Sequence, residues 1–148
     1  MGKVGKLLIV EDNSDDELLT IRAFRKGNLG NEIDVVRDGE EALDYLFRRN
    51  GFESKKNESL PDLILLDLKM PKVSGLEVLQ IIKNDPHLKA LPVVVLTTSK
   101  DDSDLKKAYE LGVNSYVLKP VSIIEFIEAI QKLEIYWFVL NQRPQRGQ

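Results

Sequence analysis

The chain contains no cysteine, so disulfides and thiolate metal sites are excluded, and stability must come from an apolar core. It has a single histidine, His87, in a loop setting after Pro86 with no partner near it in sequence. That residue offers no metal cluster and no phosphohistidine chemistry, and it is expected on the solvent-facing surface. No apolar run approaches the roughly 20 residues that span a bilayer. The N-terminal stretch reaches Glu11 and Asp12 too soon to act as a signal sequence. A basic excess is also missing: the formal charge is −3, and the tail arginines Arg143 and Arg146 are too sparse to neutralise a run of phosphates. These absences favour a cytoplasmic protein with no membrane and no nucleic-acid partner. The first strand is not followed by GxGxxG, which argues against a dinucleotide enzyme.

What is present is ordinary in amount and specific in order. The 148 residues, 43% hydrophobic and 30% charged, suit one domain. Five short β-branched runs alternate with amphipathic stretches. The runs are Lys6–Glu11, Glu32–Arg37, Asp62–Asp67, Leu91–Thr97 and Ser115–Leu118. Helical periodicity covers Ser14–Lys26, where Leu18, Leu19, Ile21, Ala23 and Phe24 could form an inner face. It returns over Glu40–Arg49, Leu76–Asn84 and Asp101–Leu111, and again from about Ser122. The polar stretch Asn50–Leu60 is expected to be a surface loop.

Strands that are apolar throughout, separated by helices, predict a parallel sheet covered on both faces, a doubly wound α/β fold. In such sheets the functional crevice lies beyond the carboxyl ends of the strands. Chemistry-bearing residues sit at those ends: Glu11 and Asp12 after the first run, Asp67 after the third, Thr97 closing the fourth and Lys119 after the fifth. Converging carboxylates repel one another unless a cation neutralises them. A small oxygen set favours Mg²⁺, which keeps several waters, over a dedicated Ca²⁺ cage. Asp67 is then a plausible nucleophile toward phosphorus. Lys119 and the Thr97 hydroxyl could compensate the charge of an added phosphoryl group.

The segments VEDN (10–13), LLDLKMPKVSG (65–75), VVVLTTS (93–99) and YVLKP (116–120) together resemble the receiver domains of two-component response regulators. The resemblance covers about residues 6–133, so the chain is expected to be one receiver domain over 1–148, with an aromatic extension over 134–148. It implies the flavodoxin-like strand order 2-1-3-4-5. It also implies phosphorylation of Asp67 by a histidine kinase, and Mg²⁺ held by Glu11, Asp12, Asp67 and the Lys69 backbone carbonyl. Thr97 and Tyr116 resemble the family's switch pair; Tyr116 taken alone is as readily a half-buried aromatic. Lys69 and Ser99 stand where the lifetime of the phosphorylated state is tuned.

A narrower likeness, in LTTS and in the ending Ile135-Tyr136-Trp137-Phe138 followed by Pro144, is to single-domain regulators of bacterial and cyanobacterial phytochrome kinases. Ile123, Phe126, Ile127, Ile130 and Leu133 already supply an inner face for the last helix. The uninterrupted apolar run 135–140 therefore reads as a partner surface, with Tyr136, Trp137 and Phe138 in a homodimer interface. An aspartate-nucleophile phosphatase would place an acid two residues past Asp67, where this chain has Lys69. A binding module that had lost phosphorylation has no need to keep Glu11, Asp12, Asp67, Thr97 and Lys119 together. The expected protein is thus a phosphoacceptor that signals by protein contact. It is not an enzyme acting on other substrates.

Overall fold

Apolar residues at successive positions, as in Leu7–Val10, Leu63–Leu66 and Val93–Leu96, have somewhere to go only if both faces of a sheet are covered. The computed structural model, which describes residues 4–26, 30–98, 100–119, 124 and 128, meets that condition. Five strands, β1 (Val4–Val10), β2 (Gly30–Val36), β3 (Leu63–Leu66), β4 (Val93–Thr97) and β5 (Ser115–Leu118), form one sheet in the order β2-β1-β3-β4-β5. Every neighbouring pair is parallel. The helices are α1 (Ser14–Lys26), α2 (Gly39–Phe47), α3 (Gly75–Asn84) and α4 (Asp102–Glu110). This is the expected doubly wound architecture and strand order.

Side chains that alternate along each strand divide the core in two. Leu7, Ile9, Leu63, Leu65, Val94, Leu96 and Val117 face Ala23 and Phe24 of α1. Leu8, Val10, Ile64, Leu66, Val93 and Val95 face the other way, onto Leu43 and Leu46 of α2, Val78, Leu79 and Ile82 of α3, and Ala108 of α4. Most of these are almost wholly inaccessible, and each fully buried Leu, Ile or Val contributes about 1.5–3 kcal/mol.

Helix α1 corrects one expectation. Leu18 and Leu19 are about half exposed, and the buried positions are Thr20, Ala23 and Phe24. At 100° per residue, positions 20, 23 and 24 share a face, while position 18 lies on the far side of it. A hydrophobic tally along the helix over-counted the stripe.

The 50–60 segment is largely surface, as expected, yet it is held at several points. Arg48, at φ 57, gives α2 its left-handed end, and its guanidinium donates to the carbonyls of Tyr45 and Ser59. A 3-10 turn, Glu53–Lys55, follows, and the Phe52 ring meets Tyr45 edge-on at 5.4 Å. Lys6 closes the segment from β1, donating to Glu58 and to the Ser59 carbonyl. Phe52 was the apolar anchor inside a stretch that read as polar.

Candidate functional site

The carboxyl ends of β1, β3, β4 and β5 lie side by side because the strands are parallel and in register. Val10 stands opposite Leu66, and Thr97 opposite Leu118. The residue after each strand therefore projects from the same edge. Backbone hydrogen bonds continue the register past the strands. The Asp67 amide donates to the Val10 carbonyl at 3.1 Å, and the Lys119 amide donates to the Thr97 carbonyl at 2.8 Å.

The structure brings Glu11, Asp12, Asp67 and Lys119 together. One carboxylate oxygen from each of the three acids lies within 4.8 Å of the others. Glu11 and Asp67 are buried and Asp12 is exposed, so the cluster opens to solvent on one side only. The Lys119 ammonium lies 2.6 Å from Glu11 Oε1 and 3.4 Å from Asp67 Oδ2. A third acid, Asp16 in the first turn of α1, accepts from the same ammonium at 2.9 Å.

Asp16 is the site residue that sequence reasoning missed. In the sequence, Asp15, Asp16 and Glu17 are an acidic first turn, a pattern that the helix dipole favours without any site. Its offset from Lys119, 103 residues along the chain, carries no local signal.

Thr97 is fully buried at the end of β4, and Thr98 beside it is exposed. Tyr116 is half-buried on β5, with its ring 6.5 Å from that of Tyr109. Lys69 presents an exposed side chain, while its amide donates to Asp67 Oδ1 at 3.3 Å. His87 is exposed, as expected. Ile124 and Glu128 are helical, in line with the expected last helix. The positions Ser99, Pro120, Tyr136, Trp137 and Phe138 lie outside the described residues.

Charge at this edge is under-compensated. Three carboxylates (Glu11, Asp16 and Asp67) share the ammonium of Lys119, and a fourth, Asp12, lies beside Glu11 and Asp67. Burial pushes Glu11 up to about 7, against its hydrogen bond from Lys119, and the charge of Asp67 adds to the rise. Burial also pulls Lys119 downward. Its hydrogen bonds to Glu11 and Asp16 outweigh that and hold its ammonium above the ordinary lysine value. A hard divalent cation suits this set: the donors are all oxygens and carry excess negative charge, and one ligand is open to water. Neither Cys nor His enters the cluster, which disfavours zinc and other softer metals.

The backbone around Asp67 leaves no room for a side chain. A Cβ at Gly75, the first residue of α3, would come within 2.2 Å of the Asp67 carbonyl oxygen. Ser74 caps that helix, exchanging hydrogen bonds with Glu77 in a capping box. At the start of α2, a Cβ at Gly39 would lie 2.0 Å from the Val73 carbonyl oxygen. The β3–α3 turn is thus clamped between two helix starts.

Comparison with known proteins agrees with this geometry. Residues 7–131 match the model of the response regulator receiver domain. The chain is 44% identical to the probable methanogenesis regulatory protein FilR2 of Methanothrix harundinacea, over 93% of this chain and 86% of that protein. Among solved structures it resembles the bacteriophytochrome response regulator RtBRR, at 50% identity and a TM-score of 0.82, covering 97% of this chain and 86% of that one. It also resembles the Mn²⁺-bound form of response regulator Rcp1, a Synechocystis protein, at 38% identity and a TM-score of 0.76, covering 90% and 94%. The chain belongs to the response regulator receiver family. The acidic, lysine-bearing edge at which the four strand ends meet is its candidate site.

Proposed function

We propose that Asp67 accepts a phosphoryl group from a sensor histidine kinase and that the chain signals through protein contacts. The observation that carries this reading is the Asp67 carboxylate itself. It is buried at the end of β3, 3.4 Å from the Lys119 ammonium and within 4.8 Å of two further carboxylates. In the transfer, an Asp67 oxygen attacks the phosphorus of a phosphohistidine. The new O–P bond forms as the N–P bond breaks, and the imidazole leaves with its electron pair and takes up a proton. Little covalent work falls to the protein beyond positioning and charge compensation.

Glu11, Asp12, Asp67 and the Lys69 carbonyl would hold Mg²⁺, which supplies neutralisation of the phosphoryl oxygens when bound. The donor chemistry supports this, as does a Mn²⁺-bound relative. Lys119 is placed to compensate the added charge, and the buried Thr97 hydroxyl to donate a hydrogen bond to it. A shift of Thr97, coupled to the Tyr116 ring against Tyr109, would bias the surface built from α4 and β5. The chain then catalyses only its own phosphorylation and dephosphorylation.

The proposed kinase is of the phytochrome type and the proposed location is the cytoplasm; the likeness to a bacteriophytochrome response regulator supports the former. Among the described residues, no helix is long and apolar enough to cross a membrane. The apolar run 135–140, with Tyr136, Trp137 and Phe138, supports a homodimer. Gel filtration with light scattering on a chain ending before Glu134 tests that point, and an undiminished dimer removes the tail from it.

Intact-mass spectrometry after incubation with acetyl phosphate and Mg²⁺ tests the central reading. A gain of one phosphoryl group that needs the metal and disappears in Asp67→Asn is expected. A folded wild-type protein that gains nothing overturns it.

A further inference from the structure

Lys119 has more carboxylate neighbours than its role opposite Asp67 requires. Two of them, Glu11 and Asp67, belong to the cluster able to hold a divalent cation; the third, Asp16, does not. The ammonium lies closest to Glu11, at 2.6 Å. A cation entering the cluster draws on the same two carboxylates and repels the ammonium. The Lys119 side chain is only 5% exposed, and a buried ammonium left without an anion is costly. It therefore needs an anion outside the metal's ligand set.

Asp16 supplies one. Its carboxylate accepts from Lys119 at 2.9 Å, and its side chain is 31% exposed, so it carries its charge at moderate cost. Its position is set by the first turn of α1, which Asn13 holds next to Glu11. The Asp16 amide donates to the Asn13 side chain at 2.9 Å, and the Glu17 amide to the Asn13 carbonyl, which fixes the first turn of α1. The remaining charges packed near this point are accounted for: Glu17 pairs with Arg37, and Asp15 is exposed.

We propose that Asp16 is a positioning residue that holds Lys119 while a divalent cation occupies Glu11, Asp12 and Asp67. The lysine then yields the metal's ligands without leaving the neighbourhood of Asp67. The inference rests on the metal reading given above. Without Asp16, Lys119 falls wholly on Glu11 and Asp67, and the cation must displace it from them.

Calorimetric titration with Mg²⁺ tests this, using the full chain after chelator treatment, with each variant first shown folded by circular dichroism. Asp16→Asn is expected to weaken Mg²⁺ binding roughly five-fold, a coupling of ordinary size for contacting residues. Asp16→Glu, which keeps the charge, is expected to bind close to the wild type. In a Lys119→Met background the same Asp16→Asn change is expected to cost less than about two-fold, because the effect travels through the lysine. An equal loss in both backgrounds would mean that Asp16 acts only as a distant charge, and would overturn the proposal. So would unchanged affinity in Asp16→Asn when Asp12→Asn abolishes binding. A wild-type chain that binds no Mg²⁺ in this titration fails the metal reading itself, and the proposal falls with it.

Discussion

Gly75 sits so close to the backbone of Asp67 that a single added methyl would lie 2.2 Å from the Asp67 carbonyl oxygen. The contact is with main chain, which cannot rotate away as a flexible side chain would. Gly75→Ala is therefore expected to cost about 3 kcal/mol or more in denaturant unfolding, at the upper end for overpacking. Gly51→Ala is the comparison. Nothing lies within 4 Å of its Cβ, but its φ of +105° is left-handed, so a cost nearer about 1 kcal/mol is expected, from backbone strain alone. Equal costs at the two positions would refute the packing account of Gly75.

Glu11 makes the stability of the metal-free chain depend on pH in a definite direction. Burial first, and the charge of Asp67 after it, place Glu11 at about 7 in the folded state, against an ordinary 4.5. Between those values the folded chain binds more protons at this position than the unfolded chain. Its contribution to stability must then decline as pH rises through that window. With chelator present, wild-type stability relative to Glu11→Gln should fall by about 3 kcal/mol from pH 4.5 to pH 7.5. A difference that rises with pH would reverse the assignment.

Tyr45, on α2, is a second titrating group. Its hydroxyl donates to Asp34 Oδ2 at 2.6 Å, and it is nearly inaccessible. Burial first, then the Asp34 hydrogen bond and charge, raise it against the opposing pull of Arg48. Tyr45→Phe should cost about 1 kcal/mol at neutral pH. The unfolded tyrosine ionises near pH 10 while the folded one stays neutral, so the wild-type advantage should shrink above about pH 10. Urea unfolding of both proteins at pH 7 and pH 10.5 checks the sign.

Lys6 should control the order of the 50–60 segment. Its ammonium reaches Glu58 Oε1 at 3.1 Å, the Ser59 carbonyl at 3.4 Å and Glu32 at 3.7 Å, from a side chain only 8% exposed. Lys6→Met keeps the apolar stem and removes the three contacts. Hydrogen exchange by mass spectrometry should show the amides of Lys56 and Glu58 exchanging about ten-fold faster, with β3 little changed. Unaltered exchange there would assign the anchoring to Arg48 and Phe52 instead.

Periodicity in the sequence was sufficient for the sheet, because burial on both faces imposes the same requirement on every position of β3 and β4 and on Leu7–Val10 of β1. Apolar runs of that kind, separated by helical stretches, leave few topologies open. The ends of those runs then named Glu11, Asp12, Asp67, Thr97 and Lys119, since parallel strands deliver their carboxyl ends to one edge. All of that is local information summed along the chain.

Tertiary structure decided what depends on distance between separate segments. Asp16 could not be told from an ordinary acid at a helix start until Lys119 lay 2.9 Å away. Leu18 and Leu19 looked like core until the rotation of α1 placed Thr20 inward in their stead. In the sequence Gly75 merely precedes the helical stretch 76–84, whereas the fold needs it for space beside Asp67. In each case the residue's own propensity is compatible with several roles. The choice among them is made by a neighbour that only the folded chain brings near.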